Sequence, residues 1–505
     1  MVLHLAPQII NIIGKEVSIT KANEDLEYGS VPDSEEELLQ FVNNETKCVD
    51  ICPHEPIGMV PSVLRKLSKK SFIPRVVSVG PIHRDNKNLH EFERKKASYL
   101  RDLLSRSCIQ RPEDQLKECR EKVKAKLEII RSSYDDVIME KYKDKDDQLA
   151  NMMVLDGSFI LEFCLKRDNK EETLLSKIQI TWIAIDLMLL ENQIPFIVLQ
   201  IIFNYTINNK PHPKNYLTCL LRRILGTYVH PFSIPDKEVT DGIWFSKCFP
   251  KWFSKMVGSN KKKPNDDPID KLFPDNSKDS EHAHVLACLH KIYKVKPSKM
   301  DGQPSQMDRD VQASLNYNHS VVELDRSGVN FTPQKQKEES ISMNIKKSRS
   351  CFHLSPWTRL TLFMPTLVIQ EFTEAVLRNF IAYEQFSPEV DYYFTSYASV
   401  MDMLIDSKAD VGKLVESKVI VNNLGSNKDV ARVINGICVN IEIERFCHSE
   451  VIQKLDKYYE SYWPKHFAYL KRTYFGNPWT VIAFFAGFIV FGLTVLQAVL
   501  RIMDR

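Results

Sequence analysis

The sequence lacks a marked excess of charge of either sign, because 68 lysine and arginine side chains nearly balance 65 aspartate and glutamate side chains. The net charge of +3 gives no indication of nucleic-acid binding, which usually requires a concentrated basic surface. The chain also lacks a phosphate-binding loop of the G-x-x-x-x-G-K-[ST] type, a G-x-S-x-G nucleophile motif and an H-E-x-x-H zinc motif. Nothing in the sequence therefore points positively to an enzyme.

A secretory signal and a disulfide framework are missing as well. Residues Met1–Ile13 have neither the basic start nor the sustained apolar run of a signal peptide. The 11 cysteines are an odd number without framework spacing, which is typical of reduced thiols in the cytosol. Both observations favour a cytosolic head. Four Asn-x-Ser/Thr tripeptides would suit a luminal head but often arise by chance: Asn44, Asn204, Asn318 and Asn330.

Cys48, Cys52 and His54 place three soft metal ligands close together in a C-x3-C-x-H group. A structural zinc site needs a fourth ligand and a spacing closer to the known patterns. We therefore predict ordinary thiols here, with no bound metal and no cofactor. The remaining cysteines have no neighbouring partner that would mark a nucleophile, although a cysteine–histidine pair formed only by folding stays open.

Against these absences stands a long uncharged stretch, Trp479–Leu500, with Gln497 as its one amide. At about 1.5 Å per residue, a helix of this length spans a hydrocarbon layer of about 30 Å. Asn477 and Pro478 supply a helix start. The alternative is a buried core helix, which rarely runs this long without a charge. We predict a transmembrane anchor that includes Trp479, Phe484, Phe485, Phe488, Phe491 and Leu500.

Apolar residues recur at helical spacing over most of the chain, for example in Leu89–Leu104 and Thr373–Gln385. Between Cys48 and Pro81 several prolines interrupt regular helix, and Arg75–Val79 is predicted as a short strand. The predicted fold class is therefore mainly α. It consists of a multi-helical globular head with a few short strands, followed by one C-terminal transmembrane helix.

Polar stretches punctuated by proline divide the head, and we predict long surface excursions or partly disordered linkers there. Three such stretches are Asn260–His282, Pro297–Asn318 and Gln334–Ser350. The predicted divisions are an N-terminal extension at 1–45, a first half of the helical head at 46–255, a polar variable insertion at 256–319, a second half of the head at 320–475, the transmembrane helix at 479–500 and a short tail at 501–505.

Two segments, Asn151–Leu165 and Lys177–Phe203, are apolar enough to be central core helices. The second is predicted to break near Pro195 and carries Asp186 and Glu191 in its middle. A buried carboxylate is costly unless it is paired, and acids with shifted pKa values often mark active sites. Hydrogen bonds to helix ends freed by the proline explain the same residues. Both interpretations stay open, and the structural one is favoured.

Many blocks of the chain resemble, in order, one plant family known as domain of unknown function 247. They include VPSVLRKLSKKSFIPRVVSVGPIHR, HEFERKKASYLRDLL, LDGSFILEF, DLMLLENQIPFIVL, LRNFIAYEQ and YFGNPWTVIAFFA. The resemblance covers about residues 48 to 490, with the polar middle excluded. The motif residues that we expect to be structural are Pro61, Gly80, Pro81, His83, Asp156, Glu191, Asn192, Pro195, Arg378, Asn379, Glu384, Asn477 and Pro478.

The resemblance implies a helical head and a C-terminal membrane helix, and it implies no known reaction. Grass members of the family are associated with pollen-side self-incompatibility, so it also implies a recognition role at a membrane. The chain departs from the family pattern at Met59, where arginine is frequent. It departs again after His83, which is followed by Arg84 instead of a second histidine. These departures weaken the expectation of a catalytic site shared by the family.

We therefore expect a membrane-anchored, non-catalytic recognition protein. It would contact the lipid bilayer through 479–500 and an unidentified protein partner through loops near 258–345. The expected location is the plasma membrane or an endomembrane, with a single membrane pass and a cytosolic head. The alternative is a membrane-tethered enzyme that uses buried acids of the Asp186–Glu191 segment. Neither nucleic acid nor a cofactor is expected.

Overall fold

Helices dominate the part of the chain that the structure describes. The described residues fall within one unit, Pro53–Arg505, and a second unit, Met1–Cys52, lies outside them. The computed structural model describes residues 57–106, 111–207, 215–233, 282–293, 319–334, 341–349, 358–387, 389–443, 445–460 and 478–503.

The helices become longer once the lead-in, residues 57–89, has ended. Those of the first half are α1 (Ser62–Arg65), α2 (His90–Leu104), α3 (Pro112–Lys124), α4 (Leu127–Ser132), α5 (Asp136–Glu140), α6 (Asp146–Asp168), α7 (Lys177–Asp186), α8 (Phe196–Thr206) and α9 (Tyr216–Val229). Those that follow are α10 (Val285–His290), α11 (Val321–Arg326), α12 (Thr373–Phe386), α13 (Tyr393–Leu404), α14 (Lys408–Glu416), α15 (Asn427–Ile437), α16 (Ser449–Glu460) and α17 (Pro478–Met503). The lead-in itself adds 3-10 turns at Lys69–Ser71 and Lys87–Leu89.

Side chains at the helix starts explain where several helices begin. Ser176 and Gln179 form a capping box at the start of α7, in which each side chain bonds the backbone N–H of the other residue. Ser320 and Glu323 do the same for α11. Pro112 occupies the first turn of α3, where the N–H that proline lacks would have no helical partner. These caps satisfy donors that a helix start otherwise leaves unpaired.

Six short strands form two mixed sheets within the described residues. They are β1 (Phe232–Ser233), β2 (Asn330–Pro333), β3 (Asn344–Arg349), β4 (Thr358–Met364), β5 (Thr366–Ile369) and β6 (Ile420–Asn422). In one sheet β4 lies between β2, which is parallel to it, and β3, which is antiparallel, so that Ile345 lies opposite Leu362. In the other sheet β5 lies between the antiparallel β1 and the parallel β6.

Helix α6 is the centre of the first half of the head. It packs against α2, α3, α8 and α9. Gly157 permits the close approach of α8, because a Cβ at this position would lie 2.5 Å from Cδ1 of Ile202. By length and composition α6 is apolar enough to cross a membrane, but most of it is buried inside the protein. We therefore assign it as a core helix.

One hydrophobic core includes residues from both halves of the head. Helix α10 belongs to this core, because all its side chains are buried and it packs against α9 and α12. The helix falls within the predicted polar insertion 256–319. Ile341 and Met343, in the third predicted excursion, are buried as well, and β3 follows them. The prediction of a surface excursion is wrong at Ile341 and Met343, since a few apolar residues suffice to bury a short segment. Helix α10 lies between the first and the second predicted excursion.

The prediction of a mainly α head with a few short strands is confirmed. The predicted strand Arg75–Val79 is wrong, because the structure assigns this segment to no strand. The predicted break in Lys177–Phe203 is confirmed and is longer than expected, since α7 ends at Asp186 and α8 begins after Pro195. Strands β4 and β5 are not predicted, because a short apolar run does not distinguish a strand from a helix.

Three buried histidines predict that acid destabilises the fold. Burial lowers the pKa of His284 to about 3 and the pKa values of His230 and His448 to about 4, from an ordinary 6.5. Between these values and pH 6.5 the unfolded chain binds more protons than the folded chain. The free energy of unfolding therefore falls as the pH is lowered through this window, by about 1.4 kcal/mol per pH unit for each fully titrating group.

The substitution His284→Asn tests one of these groups. Nδ1 of His284 accepts a hydrogen bond from the N–H of Ala287 at 3.2 Å as the N-cap of α10, and asparagine is also a favoured cap. We expect the pH slope of the unfolding free energy between about pH 6 and pH 4.5 to decrease by about 1.4 kcal/mol per unit, as measured by urea unfolding. The exposed His90→Asn is the control and should leave the slope unchanged. An unchanged slope in His284→Asn would contradict the prediction.

Candidate functional site

The side chain of Asp186, at the end of α7, binds the main chain of the lead-in. Its Oδ1 accepts a hydrogen bond from the N–H of Arg75 at 2.9 Å. Its Oδ2 accepts from the N–H groups of Val76 and Val77 at 2.7 and 2.9 Å. Burial raises the pKa of Asp186 to about 7, and the three donors oppose this rise because they favour the ionised form. The carboxylate thus provides acceptors that a neighbouring strand would otherwise supply.

Two amides in the turn between α7 and α8 continue this bonding. Oδ1 of Asn192 accepts from the N–H of Val79 at 2.7 Å, and Nδ2 donates to the carbonyl oxygen of Val77 at 3.0 Å. Oε1 of Gln193 accepts from the N–H of Leu286 at 3.0 Å, while Nε2 donates to carbonyl groups within the same turn. The turn therefore connects the lead-in on one side with α10 on the other.

A buried ion pair between Lys96 and Asp156 extends the hydrogen-bond network that Asp186, Asn192 and Gln193 form around the lead-in. Both side chains are fully buried, and Nζ lies 2.6 Å from Oδ1. Lys96 also donates to the carbonyl oxygen of Ser78, while Oδ2 of Asp156 accepts from the N–H of Gly80 at 2.9 Å. Nη1 of Arg84 adds a longer contact of 3.3 Å to Asp156 Oδ1. Because buried charges require paired and hydrogen-bonded surroundings, the ion pair and the lead-in stabilise each other.

Lys96 is absent from the motif residues predicted from the sequence, although a signal for it exists. It lies on the buried face of α2 with Phe92, Tyr99 and Leu103, at intervals of three or four residues. A lysine in such a position must find a buried partner, because an unpaired buried charge is strongly destabilising. Only the fold identifies that partner as Asp156.

Glu191 binds the start of the lead-in. Its Oε1 accepts from the N–H of Val60 at 3.0 Å. Its Oε2 lies 3.0 Å from Nε2 of His83 and 3.2 Å from Nη2 of Arg65. Glu191 is fully buried, whereas the side chain of Arg65 is 22% exposed. Arg84, the residue after His83 at which the chain departs from the family pattern, also takes part in the network, because it contacts Asp156.

Asn379 of α12 connects the second half of the head to the first. Its Oδ1 accepts from the N–H of Leu190 at 2.8 Å, in the turn between α7 and α8. Its Nδ2 donates to the carbonyl oxygen of Ser71 at 2.7 Å, in the lead-in, and to that of Ala375 at 2.8 Å. One buried amide therefore joins three segments that are distant in the sequence.

Glu384 and Arg378, also on α12, bind the elements around that helix. Oε2 of Glu384 accepts from the N–H of Thr395 at 2.7 Å, and Oε1 lies 2.7 Å from Nε2 of His290. Nη2 of Arg378 donates to the carbonyl oxygen of Gly436 at 2.9 Å. These contacts hold α10, α13 and α15 against α12.

The remaining predicted residues have structural positions or lie outside the described residues. Pro61 and Pro195 directly precede α1 and α8, and Pro81 is buried. Among the described residues, no group of histidine, cysteine, aspartate and glutamate side chains has the arrangement of a metal site. The predicted residues that lie outside the description are Asn477, Cys48, Cys52 and His54.

The predicted anchor coincides with α17, which begins at Pro478. Phe488 and Phe491 are each 68% exposed and Leu500 is 51% exposed. Every side chain from Phe488 to Phe491 is exposed, so apolar groups cover all sides of this turn. The described apolar stretch, Ala486–Leu500, is shorter than the roughly 20 residues of a full span. The structure does not describe the side chains of Trp479, Phe484 and Phe485.

The network acts chemically as a set of hydrogen-bonding groups for buried main chain. The side-chain oxygens of Asp186 contact the N–H groups of residues 75–77, whereas those of Glu191 contact Val60, His83 and Arg65. Among the described residues the two carboxylates therefore share no partner. This geometry supports the structural interpretation of these acids.

Comparison with protein families matches residues 57–493 to DUF247, described as a plant protein of unknown function. The chain belongs to this family. This DUF247 protein is similar to the "UPF0481 protein At3g47200" of Arabidopsis thaliana, with 29% identity over 485 residues that cover 92% of this chain and 88% of the relative. It is also similar to the "Putative UPF0481 protein At3g02645" of Arabidopsis thaliana, with 23% identity over 493 residues, 87% of this chain and 88% of the relative. No solved structure matches the chain.

Gly80 and Gly425 provide a matched test of the network. Both have positive φ, +75° and +84°. A Cβ on Gly80 would lie 2.4 Å from the carbonyl oxygen of Gln193, whereas nothing lies within 4 Å of a Cβ on Gly425. We expect Gly425→Ala to lower the free energy of unfolding by about 1 kcal/mol and Gly80→Ala by about 3 kcal/mol, since only the second also displaces backbone. Equal losses of unfolding free energy in the two variants, measured by urea unfolding, would contradict this prediction. They would show that the lead-in can shift away from the added Cβ without a further loss of stability.

Proposed function

We propose that this DUF247 protein is a membrane-anchored recognition protein whose head is a scaffold and not a catalyst. The observation that carries the proposal is α17. No charged side chain occurs between Trp479 and Leu500, and the described side chains of this stretch are exposed and overwhelmingly apolar. Each Å² of such surface costs about 25 cal/mol in water, and a lipid bilayer removes that cost.

The recognition role is supported by the use of the polar motif residues within the head. Asp156, Asp186, Asn192 and Asn379 bond buried main chain, which leaves function to surfaces that the scaffold carries. We propose residues 258–281 and 294–318 as the partner-binding loops, on either side of the packed α10 segment. The role in self-incompatibility that the family resemblance implies for grass members is one form of such recognition.

We further propose a single membrane pass at the plasma membrane or an endomembrane, with the head in the cytosol. None of the six cysteines that the structure describes forms a disulfide, which is typical of a reducing compartment. Two of the four tripeptides for N-glycosylation lie in the described part. Asn204 is in α8, and Asn330 is at the exposed start of β2.

The substitutions Ile489→Arg and Leu493→Arg together test the anchor. An arginine near the bilayer centre costs about 2.5–3.5 kcal/mol, so we expect alkaline carbonate to extract the double variant and to leave the unmodified chain in the membrane. The control is Val137→Arg with Leu174→Arg, because these apolar residues are 80% and 107% exposed in the head. Extraction of the unmodified chain would contradict the anchor.

In intact membranes, protease added from the cytosolic side should digest an N-terminal tag on the same chain. Protection of the tag would place the head in the lumen or outside the cell and would give the glycosylation tripeptides a role.

Replacement of the proposed loops tests partner recognition. Residues 258–281 and 294–318 are each exchanged for glycine–serine linkers of equal length, while the buried α10 is retained. We expect at least one replacement to abolish cross-linking to specific partners in plant membranes without changing the midpoint of unfolding, because neither exchange removes a described core residue. Partner capture that survives both replacements would contradict the assignment of these loops.

A further inference from the structure

Helix α1 and the turn after it are apolar on two faces. Val60 is buried, and Leu64, four residues later, packs against the same core. Met59, Val63 and Leu67 form an outer row, which is offset by one residue in the sequence from the inner row of Val60 and Leu64. Their side chains are 42%, 54% and 37% exposed. Packing of the head therefore accounts for the inner row of apolar residues, and the outer row needs another explanation.

Three lysines accompany the outer row. Among the described residues none of them forms an ion pair, whereas Arg65, the last residue of α1, is paired with Glu191 at 3.2 Å. No acidic residue occurs from position 59 to position 84. The surface thus presents unneutralised positive charge beside exposed apolar side chains. The three lysines, all exposed, are Lys66, Lys69 and Lys70.

We propose that residues 59–70 form a second membrane contact, which binds anionic lipid. The outer apolar row enters the headgroup boundary, and the lysines contact lipid phosphate and carboxylate groups. This combination of apolar and basic side chains is typical of segments that lie on a membrane surface, where each lysine strengthens binding by about fivefold. The inference rests on the proposed anchor, because α17 keeps the head within reach of the same bilayer.

The attachment of this surface to the core determines what lipid contact does. Glu191 accepts a hydrogen bond from the N–H of Val60, two residues before α1, and pairs with Arg65, the last residue of α1. One buried carboxylate therefore holds the chain on both sides of this short helix. A membrane that binds residues 59–70 therefore orients the whole head and does not merely capture a loose segment. The proposed partner-binding loops would then be presented at a defined angle to the bilayer.

Amide hydrogen exchange on the full chain in lipid nanodiscs tests the proposal. One set of discs contains phosphatidylcholine alone, and the other contains phosphatidylcholine mixed with phosphatidylserine. We expect the amides of residues 59–70 to exchange at least about fivefold more slowly in the anionic discs, and salt should reverse the difference. The combined substitution of Lys66→Gln, Lys69→Gln and Lys70→Gln should abolish it. The control, Lys117→Gln, Lys126→Gln and Lys428→Gln, removes the same charge from exposed sites elsewhere and should preserve it.

Several outcomes would overturn the proposal. Equal exchange in the two lipids, or slow exchange that survives the loss of the three lysines, would remove the anionic membrane as the ligand. Slow exchange caused by soluble glycerophosphoserine would indicate a headgroup pocket instead of a membrane surface. If the discs do not retain the chain, the anchor fails and sedimentation with phosphatidylserine vesicles replaces the exchange measurement. Sedimentation that depends on the three lysines would still support the surface, and its absence would overturn it.

Discussion

Buried backbone N–H groups require acceptors, and the lead-in between Arg75 and Gly80 enters the core without a strand beside it. Asp186, Asn192 and Asp156 supply those acceptors from α7, from the turn after it and from α6. Side chains thereby do what a sheet edge does elsewhere. The position of every element that contacts the lead-in depends on these bonds, because an unpaired buried donor costs about 1–3 kcal/mol.

This constraint explains why the chain resembles an enzyme in one segment. Buried acids within an apolar stretch are a common sign of catalysis, and Asp186 has a raised pKa of the kind that active sites use. Here the same acids accept main-chain hydrogen bonds, and Glu191 connects the lead-in to Arg65 and His83. We therefore propose that function lies on the surface of the head and on α17. Two of the proposed surfaces contact the membrane, the apolar helix α17 and the basic face at residues 59–70, and the partner-binding residues 258–281 and 294–318 are the third.

The two proposed membrane contacts would together determine how the head is oriented at the membrane. A single tether raises the effective concentration of the head at the membrane but leaves its orientation free. A second contact through residues 59–70 would fix that orientation, since Glu191 holds α1 to the core. Asn379 carries the same constraint into the second half, because its amide bonds the lead-in and the turn between α7 and α8. Loops attached to either half would thus share one orientation.

The sequence by itself determined the helical class, the break before Pro195, the uncharged stretch of α17 and the family. Each of these depends on residues that are close together in the chain or on blocks that occur in a recognisable order. Sequence also indicated most of the network, since the motif residues Asp156, Asn192 and Asn379 all take part in it. Lys96 shows a missed signal, a lysine on the apolar face of α2.

Only the tertiary structure decided how these residues are paired. The acceptor for the N–H of Arg75 lies at Asp186, and no local pattern specifies a contact between positions so far apart. The residue types of Arg75–Val79 predict a strand, whereas the hydrogen-bond acceptors for this segment are side chains that lie far away in the sequence. The burial of α10 and the exposure of Met59, Val63 and Leu67 are likewise properties of packing, since periodicity shows that a face is apolar and not what covers it.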